Sequence, residues 1–484
     1  MLKLASVQRV VGALVAWSSL MMLPPAAVAF LYQDGTMNLF LISAAVLLVV
    51  GALIYLPVRH ASRDLRLRDG FLIVVACWLS LALVGALPFL LLEDPELSYV
   101  DAFFESMSGL TTTGATIITR INDLPRGILF YRQQLQWLGG MGIIVLAVAI
   151  LPMLRIGGMQ LYRAETPGPL KDTKLTPRIT ETAKALWLIY LGITVLCTLS
   201  YWLGGMPMFD AVGHAFSTVA IGGFSTHDQS FAYFANPTLE TVAILFMIVA
   251  GMNFALHFSA WRKASAQPYF QDSELRAYAA LIVLFSVLAT IVLLVDGVYD
   301  SLFTSARYGI FHVVSALTTT GFTSTDFYLW PGFLPLLLVC LAFIGGCAGS
   351  TAGGIKVIRV VLLYKHSVRE IRRLIHPHAV LPVKFGGRTA APSVLEAVMG
   401  FFFLFVASTV LMTLALRATG LDLVTAFSAV AACITNLGPG LGEVGQSYTT
   451  LNDPAKVLLS FAMLAGRLEI YTLLVLLTPT FWRD

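Results

Sequence analysis

Ser108-Gly109-Leu110-Thr111-Thr112-Thr113-Gly114-Ala115 is the stretch from which the architecture of this chain can be inferred, because the sequence repeats it. A near copy, Ser315-Ala316-Leu317-Thr318-Thr319-Thr320-Gly321-Phe322, lies far downstream. Two looser copies contain the same glycine, namely Thr218-Val219-Ala220-Ile221-Gly222-Gly223-Phe224 and Cys433-Ile434-Thr435-Asn436-Leu437-Gly438. An internal repeat is therefore anchored by Gly114, Gly223, Gly321 and Gly438.

The repeat extends upstream of each glycine. Twelve residues earlier stands a small residue, followed by a largely apolar run about as long as one short helix: Ala102, Ala211, Gly309 and Ala426. The glycines lie roughly 100 to 120 residues apart, which is too long for a solenoid unit and suits two membrane spans that flank a re-entrant hairpin. We therefore expect four repeats of span, short helix, loop and span.

The composition is that of a membrane protein. Apolar residues make up 57% of the chain and charged residues only 12%, whereas soluble domains carry roughly a quarter charged residues. Runs long enough to span a bilayer, about 20 apolar residues, lie near 8–30, 37–57, 71–92, 130–153, 184–204, 238–260, 277–297, 332–364, 392–415 and 457–478. The predicted fold class is an all-α polytopic membrane protein, with four pseudo-repeats of span, pore helix and loop, and span around a central pore, plus two N-terminal spans.

Basic residues indicate the orientation of these spans. Most of the 31 Lys and Arg residues fall in loops and termini on one side of the ten-span arrangement, which the positive-inside rule assigns to the cytoplasm. The outer side holds Arg120, Arg126, Arg132, Arg307, Arg417 and Lys456. Both termini are therefore expected in the cytoplasm. The four glycine loops would lie outside, near carboxylates that draw cations towards a mouth: Glu93, Asp94, Glu96, Asp101, Asp210 and Asp228.

The repeat divides the chain into five segments. Their predicted bounds are 1–70 for two N-terminal spans and a basic cytoplasmic loop, then 71–183, 184–276, 277–391 and 392–484 for the four pore repeats. The first span ends in Ala27-Val28-Ala29, as a cleavable signal peptide would, but its length favours an uncleaved anchor. The cytoplasmic loops Arg155–Lys184 and Lys365–Arg388 are basic either from topology alone or because they dock a cytoplasmic partner.

The four glycine loops predict a cation pathway. Non-helical backbone is tolerated inside a bilayer only where protein buries it or where it lines an aqueous cavity. Loops at equivalent positions suggest one shared cavity, around which carbonyl oxygens could replace the hydration shell of a cation. Because the side chains differ among the repeats, the main chain is the common ligand. The predicted ligands are the carbonyl oxygens of Thr111, Thr112, Ala220, Ile221, Thr318, Thr319, Thr435 and Asn436.

Three further features support a filter for a monovalent cation. Glycine allows backbone angles that a residue with a Cβ reaches only at a cost. Each short helix would aim the partially negative end of its dipole at the centre. The loops carry no acidic ring, which argues against calcium or magnesium.

The run near 332–364 is too long for one straight crossing. About 32 helical residues would measure roughly 48 Å, against a bilayer core of about 30 Å. Its middle holds small residues with weak helical preference, including Gly345, Gly346, Gly349, Gly353 and Gly354. One interpretation is a continuous tilted helix with a close-packing glycine face. We favour a flexible loop beneath the filter that obstructs permeation until it moves, and therefore a gate.

Arg467 lies within the last apolar run, where an unpaired charge costs at least roughly 2.5 to 3.5 kcal/mol. It packs against Glu469 or nearby carbonyls, or alternatively it faces the conduit below the filter and touches the glycine-rich loop. The second interpretation makes Arg467 part of the gate.

Other function classes find little support in the sequence. The five cysteines contain no Cys-x-x-Cys pair and the eight histidines show no metal-ligand spacing, so we predict no zinc site and no cofactor. No nucleophile elbow or paired-carboxylate site points to an enzyme. The net charge of +4 follows from topology, so we expect no nucleic-acid partner.

These motifs resemble those of the Trk/Ktr/HKT superfamily of potassium transporters over nearly the whole chain. The residues that carry the resemblance are Thr111–Ala115, Ile221–Thr226, Thr318–Phe322, Asn436–Gly440, Trp137–Gly142, Ala348–Gly354 and Gly466–Glu469. The resemblance implies a homodimer in the lipid of the bacterial inner membrane, each protomer with its own pore, gated by a cytosolic ring of the nucleotide-binding subunit TrkA. In the superfamily a serine at the first filter glycine accompanies sodium permeation, so Gly114 favours potassium.

The sequence therefore predicts potassium uptake through a gated, channel-like pore. The alternative on the same scaffold is a proton- or sodium-coupled potassium symporter, which the small number of membrane-embedded carboxylates disfavours. A purely structural membrane scaffold would leave the four repeated glycines unexplained.

Overall fold

The computed structural model describes residues 4–61, 67–145 and 175–483, and nearly all of its regular structure is helical. A short hairpin of β1 (Lys384–Phe385) and β2 (Arg388–Thr389) is the exception within these ranges. Six helices are long and apolar enough to cross a membrane, or eight if each of two sharply bent pairs counts as one span. The end of the expected span 130–153 and most of the basic loop Arg155–Lys184 lie outside the described residues.

The N-terminal segment forms two spans that pack together. The first contains α1 (Leu4–Ser18) and α2 (Leu23–Tyr32), joined by one 3₁₀ turn, and the second is α3 (Met37–Tyr55). A Cβ on Gly51 would overlap the main chain of Ala16, so α1 and α3 cross at very close range. Asp34, between the spans, accepts a hydrogen bond from the amide of Gly127 at 2.7 Å. The two spans are thereby tied to the start of the first repeat's returning helix.

The four repeats follow in chain order. The first contains α4 (Leu67–Gly85), α5 (Leu87–Leu90), α6 (Tyr99–Leu110) and α7 (Arg126–Val145). The second contains α8 (Leu175–Leu203), α9 (Met208–Ala220), α10 (Pro237–Ala250), α11 (Phe254–Lys263) and α12 (Gln267–Gln271). The third contains α13 (Ser273–Val295), α14 (Leu302–Leu317), α15 (Leu334–Ile344) and α16 (Val357–Ile375). The fourth contains α17 (Pro392–Ala418), α18 (Leu423–Ile434), α19 (Asp453–Arg467), α20 (Tyr471–Leu477) and α21 (Pro479–Trp482).

The short helices α6, α9, α14 and α18 begin at the positions that their sequences indicate. Side chains of Ser98, Ser301 and Asp422 accept hydrogen bonds from main-chain amides in the first turn of three of them, which satisfies donors that a helix start leaves unpaired. The last turns of all four helices are buried. Each helix packs against the span that precedes it in its repeat, and the chain then leaves it for a glycine loop.

The prediction of a continuous span is wrong for two of the apolar runs. The run 238–260 is bent by 90° between α10 and α11, and the run 457–478 is bent by 117° between α19 and α20. At the first bend the side chain of Asn253 accepts from the amide of Ala255 and starts a new helix. At the second, Glu469 and Ile470 have φ of 58° and 44°, a left-handed conformation in which an α-helix cannot continue.

The expected break within 332–364 is present. Helix α15 ends at Ile344 and α16 begins at Val357, so the alternative of one continuous tilted helix is excluded. We call residues 345–356 the central loop. All three returning spans of the second, third and fourth repeats are therefore interrupted in the described structure.

Candidate functional site

The four glycine loops share one unusual main-chain path. We call them repeat loops 1 to 4, defined as residues 111–117, 220–226, 318–324 and 435–441. Their glycines have φ of 84°, 79°, 83° and 97° for Gly114, Gly223, Gly321 and Gly438. The residue two positions earlier also has positive φ, at 50°, 54°, 62° and 58° for Thr112, Ile221, Thr319 and Asn436.

Positive φ at Thr112, Ile221 and Thr319 is strained. β-Branched residues rarely adopt this conformation, and each instance costs on the order of 1–3 kcal/mol. A β-branched residue of positive φ stands at the same position of loops 1 to 3, and the more tolerant Asn436 takes this position in loop 4. Strain that a fold maintains repeatedly points to a functional constraint on the main chain.

The repeat loops contact one another in a closed cycle. A Cβ added to any of these four glycines would overlap the main-chain carbonyl oxygen of the residue before the glycine in the next loop. These pairs are Gly114 with Gly222, Gly223 with Thr320, Gly321 with Leu437 and Gly438 with Thr113. Glycine is therefore required by close approach as well as by φ, and loop 4 returns to loop 1.

The main-chain carbonyl oxygens of these loops that accept no hydrogen bond from the described part of the chain include eight at the two positions that the sequence predicts as ligands. These eight belong to residues that are at most 1% exposed: Thr111, Thr112, Ala220, Ile221, Thr318, Thr319, Thr435 and Asn436. Buried main-chain carbonyls are nearly always paired. These eight oxygens, which are the ligands expected from the sequence, are therefore available to water or a cation.

Threonine hydroxyls in the loops are already occupied. The Oγ1 atoms of Thr111, Thr318 and Thr435 each donate to the carbonyl oxygen four residues earlier at 2.7 Å. In loops 1 and 3 the same hydroxyl also lies within 2.8 Å and 2.7 Å of Thr113 and Thr320 Oγ1. Because these hydroxyls stabilise the loop itself, they leave the main chain as the available ligand.

The central loop lies against the repeat loops through its small residues. The amide of Gly353 donates to Thr319 Oγ1 at 2.7 Å, and a Cβ on Gly353 would overlap the carbonyl oxygen of Thr435. Ile221 forms a small buried apolar cluster with Ala352 and with Ala250. Loops 2, 3 and 4 are thus each in contact with the central loop.

Arg467 completes this set of contacts with loop 1. Its Nη1 donates to the carbonyl oxygen of Thr351 at 3.0 Å, and its Nη2 donates to Thr112 Oγ1 at 2.5 Å. Of the two partners in the alternative interpretation, Glu469 instead binds Arg359 at 2.6 Å, while a main-chain carbonyl partner is present in Thr351. Arg467 Nε and Asn436 Oδ1 are buried and have no hydrogen-bond partner among the described residues.

Glu274 is a site residue that the sequence analysis missed. It lies in the first turn of α13, is 4% exposed, and its Oε1 accepts from the amides of Ala348 at 2.8 Å and Ile358 at 3.1 Å. One carboxylate oxygen therefore holds the central loop and the first turn of α16 together. The sequence feature that could have identified Glu274 is a carboxylate at the start of an otherwise apolar span.

The bend after α10 also contacts the central loop. The amide of Cys347 donates to the carbonyl oxygen of Gly251 at 2.9 Å, and the amide of Phe254 donates to that of Gly349 at 3.0 Å. The interruption of the second repeat thus supplies main-chain partners for the interruption of the third.

Several outer carboxylates are already paired. Asp101 binds Lys456 at 2.6 Å, and Asp94 binds Arg120 at 3.0 Å. Burial raises the pKa of Asp210, but the His227 imidazole 3.5 Å away and a hydrogen bond from Thr226 outweigh it and leave that pKa below its usual value. Arg132, which the sequence places on the outer side, is fully buried within α7. The net field at the mouth is therefore weaker than a count of carboxylates suggests.

Comparison with known proteins relates this chain to transporters. The family model TrkH, described as a cation transport protein, matches residues 36–483. The Trk system potassium uptake protein TrkH of Salmonella typhimurium is 52% identical, and that of Vibrio parahaemolyticus is 53% identical, with 99% of both chains covered in each case. The crystal structure of the potassium transporter TrkH from Vibrio parahaemolyticus superposes with a TM-score of 0.93 at 50% identity and covers 100% of both chains.

The contacts of Glu274 generate a prediction about the central loop. In a chain whose only thiol is Cys347, which is 1% exposed, we expect Glu274→Ala to speed labelling by a small thiol reagent at least several-fold. Glu274→Gln keeps an oxygen that can accept both amide bonds, so labelling should stay near the parent rate. Stopped-flow labelling followed by mass spectrometry measures both rates.

A second reporter separates local release from general loosening. Its only thiol is Cys433, which is buried in α18. Equal acceleration at Cys433 and Cys347, or no acceleration at Cys347, would contradict the anchoring role of Glu274.

Proposed function

We propose, from the premise that this chain belongs to the TrkH family of cation transport proteins, that it takes up potassium across the bacterial inner membrane through a gated, channel-like pore. A member of this family is a transporter and not an enzyme. The single observation that carries the proposal is the closed cycle of repeat loops, in which the eight predicted ligand oxygens are buried and accept no hydrogen bond from the described residues.

The repeat loops act as the selectivity filter in this proposal. Main-chain oxygens on four loops replace the hydration shell of potassium, and the C-terminal ends of α6, α9, α14 and α18 add a partially negative potential. None of the eight ligand positions is an acidic residue, which disfavours calcium and magnesium because these ions prefer carboxylates. The relatives named above are potassium uptake proteins.

The central loop and Arg467 act as the gate. The loop contacts repeat loops 2, 3 and 4, and Arg467 links it to loop 1. A guanidinium beneath the carbonyl ring repels cations in the pathway. Potassium passes when the loop and this charge move aside.

Channel-like transport is supported by the partners of three buried carboxylates. Glu105 pairs with Arg132, Glu240 pairs with Arg307, and Glu274 binds two amides. A coupled symporter would need a carboxylate free to bind a proton or sodium ion along the pathway, and these three are committed to protein partners.

The working assembly that we propose has both termini in the cytoplasm, four pore repeats within the predicted bounds and a lipid-embedded homodimer. The cytosolic nucleotide-binding subunit TrkA regulates it. The end of α16 supports a cytoplasmic partner surface, because it combines basic side chains with exposed Leu374 and Ile375.

Flux through the purified protein in proteoliposomes tests the proposed function. We expect potassium flux down its gradient that persists when the proton and sodium gradients are set to zero. Flux that requires either gradient would favour symport. Absence of flux both with and without the cytosolic subunit would contradict a potassium pathway.

Gly114→Ser tests the filter. The new side chain would overlap the carbonyl oxygen of Gly222, so we expect the potassium over sodium preference to fall about tenfold or more, equivalent to ~1.4 kcal/mol. Bi-ionic potentials measure this ratio. Gly192→Ser is the matched control, because no atom lies within 4 Å of a Cβ there; an unchanged ratio in a folded Gly114→Ser protein would refute the filter assignment.

Arg467→Ala tests the gate. It removes the charge and both hydrogen bonds to Thr351 and Thr112, so we expect potassium flux to rise several-fold. Arg467→Lys retains the charge and should keep flux closer to the parent. Equal or lower flux from well-folded Arg467→Ala protein would show that Arg467 does not obstruct permeation.

A further inference from the structure

One face of α7 carries two fully buried polar side chains behind the repeat loops. Arg132 and Gln136 are each 0% exposed, and residues four apart lie on the same face of a helix. Helix α7 belongs to the first repeat, yet both side chains reach loop 2 of the second repeat. They therefore cross a boundary between repeats.

Gln136 holds the main chain on both sides of the glycine of loop 2. Its Nε2 donates to the carbonyl oxygen of Gly222 at 2.5 Å, and its Oε1 accepts from the amide of Phe224 at 3.1 Å. A Cβ on Gly222 would overlap the amide group of Gln136. Gln136 of the first repeat thus holds the main chain on either side of Gly223 in the second repeat.

Arg132 contacts both loop 1 and loop 2. Its Nη1 donates to the carbonyl oxygen of Ser225 at 3.2 Å, and its Nη2 donates to Thr116 Oγ1 at 3.1 Å. The guanidinium carbon also lies 4.2 Å from the ring centroid of Phe224, within the range of a cation–π interaction. The Arg132 side chain therefore links the C-terminal halves of repeat loops 1 and 2.

Glu105 fixes Arg132 and the exit of loop 1. Its Oε1 accepts from Arg132 Nε at 2.8 Å, and its Oε2 accepts from the amide of Ile117 at 3.0 Å. Both carboxylate oxygens are 3.0 Å from Thr116 Oγ1. The carboxylate is 0% exposed, so every one of these contacts is removed from water.

A fully buried ion pair is weak support for a purely stabilising role. Desolvation of two charges can exceed their attraction, and well-packed apolar residues would often do as well or better. Retaining such a pair behind two repeat loops therefore calls for a role in geometry rather than in stability.

The corresponding side chains of the other repeats tie each loop only to its own helix. Nine residues before the glycine, His214 lies 2.9 Å from Ser225 Oγ, and His312 lies 3.4 Å from the amide of Ser324. In the fourth repeat the same position is Ala429, and the preceding residue Ser428 accepts through Oγ from the amide of Leu441 at 2.8 Å. Loop 2 also lacks the paired threonine hydroxyls that stiffen loops 1 and 3, because its equivalent residues are Ala220 and Gly222.

We propose that Glu105, Arg132 and Gln136 form a brace that sets the separation of repeat loops 1 and 2, and that these positioning residues thereby determine how strictly the carbonyl ring discriminates potassium from sodium. A ring held at fixed size cannot contract around the smaller sodium ion, whereas a loosened ring can. The inference rests on the proposed function, since it assigns the selectivity of the same pathway.

Gln136→Leu is the primary test because it removes both bonds to loop 2 without altering charge. We expect purified protein in proteoliposomes to retain potassium flux while its potassium over sodium permeability ratio falls about tenfold. Gln136→Glu keeps the oxygen that accepts from Phe224 and should preserve more of the ratio than Gln136→Leu. Arg132→Lys, which cannot reproduce the three-way guanidinium contact, should lower the ratio independently.

The Glu240–Arg307 pair supplies a matched control. Arg307 donates to Glu240 at 2.7 Å and 2.6 Å, the Glu240 side chain is 2% exposed, and within the described residues neither side chain bonds to a repeat loop. Glu240→Gln therefore weakens a buried ion pair away from the ring, and its ratio should remain that of the parent.

The outcomes separate the brace from the proposed function. If the parent protein conducts no potassium or has no preference, the proposed function itself fails. If the parent is selective but folded Gln136→Leu and Arg132→Lys proteins keep its ratio, the brace is overturned. An equal loss of selectivity in Glu240→Gln would also overturn it, because general loosening would then account for the effect. If Gln136→Leu does not fold, Arg132→Lys decides.

Discussion

A buried main-chain carbonyl must find a hydrogen-bond donor, water or a cation, and this requirement organises the centre of the molecule. The repeat loops turn eight such oxygens away from protein donors. This arrangement requires two residues of positive φ in every loop. At the first of these two positions, three of the four loops have a β-branched residue. The short helices, the returning spans and the buried polar side chains behind the loops stabilise this otherwise unfavourable arrangement.

The residue two positions before the glycine of each repeat loop also contacts segments outside the ring. Thr112, Ile221, Thr319 and Asn436 carry carbonyl oxygens without protein partners, while their side chains reach Arg467, Ala352, Gly353 or the main chain of Met463. A movement of the central loop therefore alters contacts of residues that line the proposed filter. In the proposed mechanism, opening and ion binding involve the same residues, so the two processes are energetically coupled.

The sequence was sufficient for features that recur or that violate a local rule. The glycine register identified all four repeat loops, the small residues from Gly345 to Gly354 indicated a broken span, and the charge of Arg467 in an apolar run pointed to a special site. It did not reveal the bends at Gly251 and Glu469. The first is set by an asparagine cap and the second by left-handed residues with ordinary side chains. Neither pattern stands out in an apolar sequence.

Contacts between distant segments were the other part that could not be predicted. Glu105, Arg132 and Gln136 look like scattered polar residues until folding places them against two loops. A ring built from main-chain atoms imposes the same path on every repeat but no particular supporting side chain, so each repeat can support that path differently. Loop 2 lacks the paired threonine hydroxyls of loops 1 and 3 and receives support from α7, whereas loop 4 receives a hydrogen bond from the Tyr448 hydroxyl to the carbonyl oxygen of Gly438 at 2.7 Å. Nearly equivalent geometry at the ring is therefore compatible with unequal stiffness around it, and the proposed brace acts where loop 2 receives its hydrogen bonds from a side chain of the neighbouring repeat.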